Sequence, residues 1–109
     1  MARDFIEIGT DDIAAARAFY EGVFGWRWVA MGEGPQGYFS DGARQVGLHG
    51  GDTPCVVPYL QVTRIEEMVA RVTARGGALT GAITEAPGLG RFATCTDPRG
   101  ARFGLHQPD

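Results

Sequence analysis

The sequence predicts an α+β fold made of two βαβββ repeats, in which eight strands form a curved, mostly antiparallel sheet with both helices on its outer face. Three observations predict it: an internal duplication, short segments of alternating apolar and polar residues, and two segments with apolar residues at helical spacing. The duplication is the most direct, because Val46–His49 (VGLH) matches Phe103–His106 (FGLH). We therefore predict a single domain at 1–109, with a first repeat at about 1–51 and a second at about 52–109.

The first repeat begins with a strand at Phe5–Gly9, and Thr10 or Asp11 is expected to cap the helix that follows. Gly25 ends this helix, since glycine is the usual residue after a helix C-terminus. The helix carries an apolar stripe at helical spacing: Ile13, Ala16, Tyr20 and Val23. Three strands complete the repeat, with a turn at Gly32–Gln36 between the first two: Trp26–Met31, Gly37–Ser40 and Arg44–His49.

The second repeat follows the same plan. A strand at Val57–Val62 leads into a helix that begins with the capping box Thr63-x-x-Glu66 and ends at Gly76-Gly77. Its apolar stripe consists of Ile65, Met68, Val69 and Val72. Three strands again complete the repeat, with a turn at Glu85–Gly90: Ala78–Thr84, Arg91–Thr96 and Arg102–His106.

Composition narrows the class of protein. Hydrophobic residues make up 44% of the 109 residues and charged residues 21%, which is typical of a globular domain. The net charge of −3 gives no basic footprint for nucleic acid, and no apolar run is long enough to span a membrane or to act as a secretory signal. We expect a cytoplasmic protein in which Cys55 and Cys95, which lack zinc-site spacing, are reduced thiols.

Strand alternation predicts one apolar face against the helices and one polar face. The helix side would take Ile6, Ile8, Val46, Leu48, Leu60, Val62, Phe103 and Leu105, and the other face Glu7, Gln45, His49, Val57, Tyr59, Gln61, Arg102 and His106. The polar face is either simply solvated or a ligand cleft. Gly47 and Gly104 favour the cleft, because mid-strand glycine is unfavourable and often marks the close approach of another group.

Several residues of this face have more than one interpretation. Glu7 is a candidate general base, or a carboxylate that is solvated or paired with Arg102. Arg102 would anchor an anionic ligand or extend along a sheet edge. Trp28 would stack on an aromatic ligand or pack in a core or dimer contact. Tyr59 and Gln61 have the chemistry of groups that orient a ligand in a pocket.

Two segments resemble the vicinal oxygen chelate superfamily, which includes glyoxalase I, extradiol dioxygenases, and the fosfomycin and bleomycin resistance proteins. Ala18–Trp26 (AFYEGVFGW) is similar to the family's helix end, and Asp97–Leu105 (DPRGARFGL) to its final turn and strand. The resemblance implies the fold derived above, a small-molecule ligand in the concave face, and a homodimer.

The resemblance also implies where a divalent metal would bind. The four family ligand positions correspond here to Phe5, Gly47, Val57 and Gly104, none of which offers a side-chain donor. Without that site, the chain resembles the metal-free members that bind and sequester a small molecule, so no metal or other cofactor is expected. The predicted ligand-binding residues are Glu7, Trp28, His49, Tyr59, Gln61, Arg102 and His106.

A displaced metal site is the alternative. Glu7, His49 and His106 each lie two residues after one of the family's metal-ligand positions, namely Phe5, Gly47 and Gly104. Two histidines with one carboxylate are the donor set of a non-heme iron site. These three residues would then be the catalytic candidates of a lyase, isomerase or dioxygenase-like enzyme. A non-catalytic dimerisation or regulatory module is a third possibility.

Overall fold

The two repeats form two separate structural units. The computed structural model describes residues 4–35 and 37–109, which divide into a first unit at Phe5–Val57 and a second unit at Pro58–Asp109 that also includes Asp4. The boundary falls inside strand β5, so this strand contributes residues to both units.

The first unit has the predicted succession of elements. Its strands and helix are β1 (Phe5–Gly9), α1 (Ile13–Phe24), β2 (Arg27–Ala30), β3 (Gly37–Ser40), β4 (Gln45–His49) and the start of β5 (Cys55–Gln61). The spatial order is β2-β3-β4-β1, with β1 parallel to β4 and the other pairs antiparallel. Strand β2 is shorter than predicted at both ends, and Gln36 of the predicted turn lies outside the described residues.

The second unit repeats this topology. After β5 come α2 (Ile65–Ala74), β6 (Ala78–Ala86), β7 (Gly90–Thr96) and β8 (Arg102–Gln107). The spatial order is β5-β8-β7-β6, with β5 parallel to β8 and β7 antiparallel to both of its neighbours. The predicted α+β class, with two βαβββ repeats and mostly antiparallel pairing, is confirmed. Strands β6 and β7 extend into the predicted turn, which shrinks to residues 87–89.

Both predicted helix N-caps are wrong by a few residues. Helix α1 is capped by Asp12, whose carboxylate accepts a hydrogen bond from the Ala15 amide at 3.0 Å, while Thr10 binds the Asp12 backbone. Helix α2 has Arg64 at its N-cap without a side-chain capping hydrogen bond, and the Ile65 amide donates to the side-chain oxygen of Gln107 at 2.9 Å. A residue at the end of β8 therefore supplies the acceptor that a local side chain was expected to supply.

Neither described helix combines the length and the apolar composition that crossing a membrane requires.

Each unit packs its helix against its own strands. The buried core of the first unit consists of Ile8, Phe39, Val46 and Leu48, against which Ile13, Ala16 and Tyr20 of α1 pack. The core of the second consists of Ile65, Ala93, Cys95 and Leu105, with Val62, Met68, Val69, Val72 and Phe103 around it. Each large apolar side chain buried in this way contributes roughly 1.5–3 kcal/mol.

Three residues expected in these cores are instead largely exposed. Val23 is 57% exposed, Ile6 39% and Leu60 41%. Val57, which alternation placed on the polar face, is only 2% exposed. The period-2 pattern assigns a side of the strand correctly, but burial also depends on what covers that side, which alternation does not specify.

The mid-strand glycines admit side chains from the neighbouring parallel strand. Gly47 faces Glu7 in the β1–β4 register, and a Cβ on Gly47 would lie 2.6 Å from the Glu7 carboxyl carbon. Gly104 faces Tyr59 in the β5–β8 register, and a Cβ there would lie 2.5 Å from Cζ of the Tyr59 ring. At both glycines the close approach is made by the protein's own side chains and not by a ligand, so these glycines are explained by packing.

Replacement of Gly77 and Gly22 by alanine should have opposite effects on stability. A Cβ on Gly77 would lie 2.6 Å from the Thr96 carbonyl oxygen and 2.8 Å from Val72 Cγ1, so Gly77→Ala should destabilise the fold by about 1–3 kcal/mol. Gly22 lies inside α1 with nothing within 4 Å, so Gly22→Ala should stabilise by about 0.5–1 kcal/mol. Urea unfolding of both variants measures this, and equal effects of the two substitutions would contradict the packing described.

The two thiols should react at very different rates. Cys95 is fully buried and burial raises the pKa of its thiol, whereas Cys55 is half-buried. A disulfide reagent such as DTNB at pH 8 should therefore modify Cys55 in the native protein and Cys95 only after unfolding. Cys55→Ser should remove the fast phase; two thiols that react at the same rate in the native protein would contradict this core.

Candidate functional site

Three potential metal-ligand atoms of the first unit converge beside Gly9. They are His49 Nε2 at the end of β4, a carboxylate oxygen of Asp52 in the following loop, and Cys55 Sγ at the start of β5, all within 4.8 Å of one another. His49 Nε2 lies 2.8 Å from Asp52 Oδ2, and Cys55 Sγ lies 3.6 Å from the same oxygen. We name this set the His49–Asp52–Cys55 cluster.

Backbone hydrogen bonds hold the cluster in place. The Thr10 amide donates to the His49 carbonyl oxygen at 3.0 Å, and the Asp52 amide donates to the Thr10 carbonyl oxygen at 3.2 Å. The loop after β4 is therefore fixed to the end of β1. This pairing brings His49 and Asp52 to the same place although the loop between them has no regular secondary structure.

Glu7 completes the surroundings of His49. Its Oε1 lies 3.1 Å from His49 Nδ1, and the two side chains are 22% and 35% exposed. Burial raises the pKa of Glu7, and the hydrogen bond and charge of His49 oppose this effect only in part. A half-buried carboxyl with a raised pKa beside an imidazole can hold or transfer a proton, and it can also orient the ring.

An aromatic and polar face forms in the second unit. The rings of Phe92 and His106 stack at 4.6 Å with an interplanar angle of 8°, and Tyr59 meets Phe92 edge-on at 6.1 Å. The Tyr59 hydroxyl lies 3.1 Å from Thr94 Oγ1, and His106 Nε2 lies 2.9 Å from the Leu89 carbonyl oxygen. We name Tyr59, Phe92, Thr94 and His106 the aromatic face; all four are half-buried.

The strand register explains why these residues share one face. Phe92 pairs with His106 across β7–β8, and Gln61 pairs with His106 across β5–β8. Arg102, opposite Thr96 on β7, lies on the same side of β8, because residues two apart on a strand point the same way. Four of the predicted ligand-binding residues thus lie on one face of this unit: Tyr59, Gln61, Arg102 and His106.

Gln61 and Trp28 also have structural contacts. The backbone amide of Gln61 donates to Asp4 Oδ1 at 3.0 Å, and the residue lines a shallow cavity of about 330 Å³ at the start of α2. Trp28 packs edge-on against Phe39 at 5.1 Å, and the Arg17 guanidinium lies 4.5 Å from its ring centroid. These contacts favour the core interpretation of Trp28 that the sequence left open.

The structure brings Glu7 and His49 together, as the displaced-site hypothesis requires, and gives His106 the ring and carbonyl contacts described above. Four residues of these sites were not predicted from the sequence: Asp52, Cys55, Phe92 and Thr94. A signal for the first two was present, because His49, Asp52 and Cys55 recur at every third position. No sequence signal marks Phe92, which becomes a site residue only through the β7–β8 register.

The inherited metal positions do not fit a metal. Phe5, Gly47, Val57 and Gly104 carry no donor atom, as the sequence indicated. The structure adds that Glu7 lies over Gly47, that the Tyr59 ring lies over Gly104, and that Val57 is buried. The side chains at these four positions therefore supply no ligand atom to an ion.

Known proteins resemble this chain in sequence. The sequence model for the N-terminal part of bleomycin resistance protein-like proteins matches residues 5–34. The anthracycline biosynthesis protein DauV of Streptomyces sp. (strain C5) is 30% identical over 93% of this chain. The chain spans about half of that relative, 45% of its length.

Solved structures share the fold at low sequence identity. Methylmalonyl-CoA epimerase from Mycobacterium tuberculosis superposes with a TM-score of 0.71 at 15% identity, covering 97% of this chain and 87% of its own. A glyoxalase/bleomycin resistance protein/dioxygenase superfamily member from Vibrio splendidus 12B01 superposes with a TM-score of 0.69 at 20% identity, covering 98% and 99%. Taken with the repeated βαβββ topology, these similarities show that the chain has the fold of the glyoxalase/bleomycin resistance protein/dioxygenase group, and that residues 5–34 are similar to the N-terminal part of bleomycin resistance protein-like proteins.

Proposed function

We propose that the protein binds a planar aromatic small molecule on the aromatic face of its second unit, without a metal at the inherited positions. The observation that carries the proposal is the stacked pair of Phe92 and His106, flanked by Tyr59. Flat rings beside a few hydrogen-bonding groups are what small-molecule sites commonly present to an aromatic ligand.

The polar groups around the rings support the same ligand class. The Tyr59 hydroxyl and Thr94 Oγ1 can each donate a hydrogen bond to a quinone oxygen or accept one from a phenol. Arg102, on the same side of β8 as His106, supplies a cation with a planar fork of donors for an acidic substituent. A polycyclic aromatic molecule with oxygen substituents would use both sets of groups.

The relatives point in the same direction. DauV is described as an anthracycline biosynthesis protein, and anthracyclines are flat, oxygen-substituted polycyclic compounds. The matching family model is named for bleomycin resistance protein-like proteins. We extend this to the present chain as binding of such a compound.

Absence of donors at the four inherited positions supports binding that does not depend on them. A ligand held by stacking and by neutral or charged hydrogen bonds needs no Lewis acid to stay bound. The protein is then a binding protein whose affinity for its ligand comes from its own side chains on β5, β7 and β8.

Titration with daunorubicin, an anthracycline, tests the proposal. Saturable quenching of the ligand's fluorescence is expected, and Phe92→Leu should weaken the affinity about 2- to 10-fold, because a stacked aromatic pair contributes roughly 0.5–1.5 kcal/mol beyond its buried area. A chelator should leave the dissociation constant unchanged.

Phe24→Leu is the matched control, because Phe24 is an aromatic residue of α1 that is 55% exposed and lies in the first unit. It should bind daunorubicin like the wild type. No saturable binding, or an equal loss in the two variants, would remove the support for the aromatic face.

A second candidate function is proton-transfer catalysis at Glu7 and His49, as in a lyase or isomerase. The specific observation in its favour is the contact of 3.1 Å between Glu7 Oε1 and His49 Nδ1, together with the raised pKa of Glu7. A carboxyl group with a raised pKa is a stronger base when ionised than an ordinary glutamate and a better proton donor near neutral pH.

Deuterium exchange tests this candidate function. A panel of aromatic and aliphatic ketones and thioesters in D2O would be followed by NMR for deuterium gain at the carbon next to the carbonyl. Exchange that requires the wild-type protein and disappears in Glu7→Gln is expected if the site transfers protons. Equal exchange in the two proteins would assign Glu7 a purely structural role.

A further inference from the structure

We propose that the His49–Asp52–Cys55 cluster is a binding site for a divalent transition metal of the zinc type, distinct from the inherited metal positions of the fold. The three donor atoms come from β4, the following loop and the start of β5, and they already lie within 4.8 Å of one another. Among the described residues, no other group of three or more histidine, cysteine or carboxylate side chains converges in this way.

The donors surround a common point beside Gly9. A Cβ built on Gly9 would lie 2.7 Å from Cys55 Sγ, 2.8 Å from His49 Nε2 and 3.0 Å from Asp52 Oδ2. Any side chain at this position would therefore push all three donors apart. Gly9 is buried, and its backbone pairs with His49 in the β1–β4 register, so the backbone forms the floor of the cluster.

Only small adjustments separate this arrangement from metal coordination. An ion bound at about 2.0–2.3 Å from nitrogen, oxygen and sulfur would replace the hydrogen bonds that Asp52 Oδ2 now makes with His49 and Cys55. Asp52 and His49 are 22% and 35% exposed, which leaves a path for an ion from solvent. The backbone hydrogen bonds between Thr10 and the loop hold the donors close before the ion arrives.

Glu7 is placed to support the histidine. With the metal on Nε2, the remaining proton of His49 lies on Nδ1, 3.1 Å from Glu7 Oε1. A carboxylate on the second nitrogen of a ligating histidine fixes its tautomer and ring orientation. Glu7 is therefore a positioning residue of this site.

The donor set selects the class of ion. Imidazole and thiolate favour Zn²⁺ and its chemical relatives Co²⁺ and Cd²⁺ over Mg²⁺ and Ca²⁺, which prefer oxygen ligands. Three protein ligands leave one tetrahedral position for water or for an oxygen atom of a ligand, as at catalytic zinc centres. The site is independent of the binding function proposed above, because it uses residues of the first unit only.

Cobalt titration of the full-length, chelator-treated protein tests the site. One equivalent of Co²⁺ should produce a near-ultraviolet thiolate charge-transfer band and the visible bands of tetrahedral cobalt, and Zn²⁺ should displace it. Cys55→Ser should lose the charge-transfer band, and Asp52→Asn should weaken binding. Glu7→Gln should weaken Co²⁺ binding about 10-fold or more while the circular dichroism of the apoprotein stays unchanged.

Matched controls make the result specific to these residues. Cys95→Ala and Asp11→Asn change a second cysteine and an exposed aspartate outside the cluster, and both should keep the full spectrum. Zn²⁺ should also protect Cys55 of the wild type from alkylation. No charge-transfer band in the wild type, a band that persists in Cys55→Ser, or Asp52→Asn binding that matches Asp11→Asn would overturn the proposal.

Discussion

Each unit depends on one local constraint, a glycine in β4 or β8 opposite a large side chain of the parallel strand beside it. Glu7 lies over Gly47 in the first unit, and Tyr59 lies over Gly104 in the second. Because the glycine offers no Cβ, the side chain can lie flat across its neighbour instead of pointing away from the sheet. The side chain then contacts a residue beyond the glycine, on the neighbouring strand or on the strand after it.

The contacts that Glu7 and Tyr59 make across these glycines form part of both candidate sites. In the first unit the Glu7 carboxylate reaches His49, two residues beyond Gly47 on the partner strand. In the second, the Tyr59 ring extends past Gly104 to Thr94 on the next strand and to Phe92. Gly47 and Gly104 thus have a packing role, because each leaves space for the side chain that lies over it.

Topology was predictable from the sequence because its signals are local and repeated. Alternation, helical spacing and the VGLH/FGLH match all survive in the structure, and Gly25 ends α1 in the left-handed conformation with a φ of 69°. The cap of α2 was not predictable, because its acceptor is Gln107, far away in the chain. Strand ends moved for a similar reason, since the partner strand decides how far a ladder extends.

Site residues were predictable from the sequence only where alternation within a single strand identifies them. Glu7, His49 and His106 were identified because alternation places them on the polar face. Asp52 lies in a loop, and it joins His49 because two backbone hydrogen bonds to Thr10 fold that loop onto β1. Phe92 joins His106 through antiparallel register, a relation between strands that the sequence of neither strand encodes.

The two equivalent histidines show how the duplicated fold allows divergent chemistry. His49 and His106 occupy the same position in their repeats, because His49 lies two residues after Gly47 and His106 two residues after Gly104. In the first unit the residue opposite the glycine is Glu7, and Asp52 approaches from the other side, so the imidazole lies between two carboxylates, Glu7 at Nδ1 and Asp52 at Nε2.

In the second unit the residue opposite the glycine is aromatic, and the histidine stacks on Phe92 with one nitrogen on the Leu89 carbonyl oxygen. The ring of His106 therefore takes part in an aromatic stack, whereas the ring of His49 contacts a carboxylate at each nitrogen. A single difference opposite the glycine, Glu7 in one repeat and Tyr59 in the other, therefore places a carboxylate beside the histidine of one unit and an aromatic ring over the equivalent backbone position of the other.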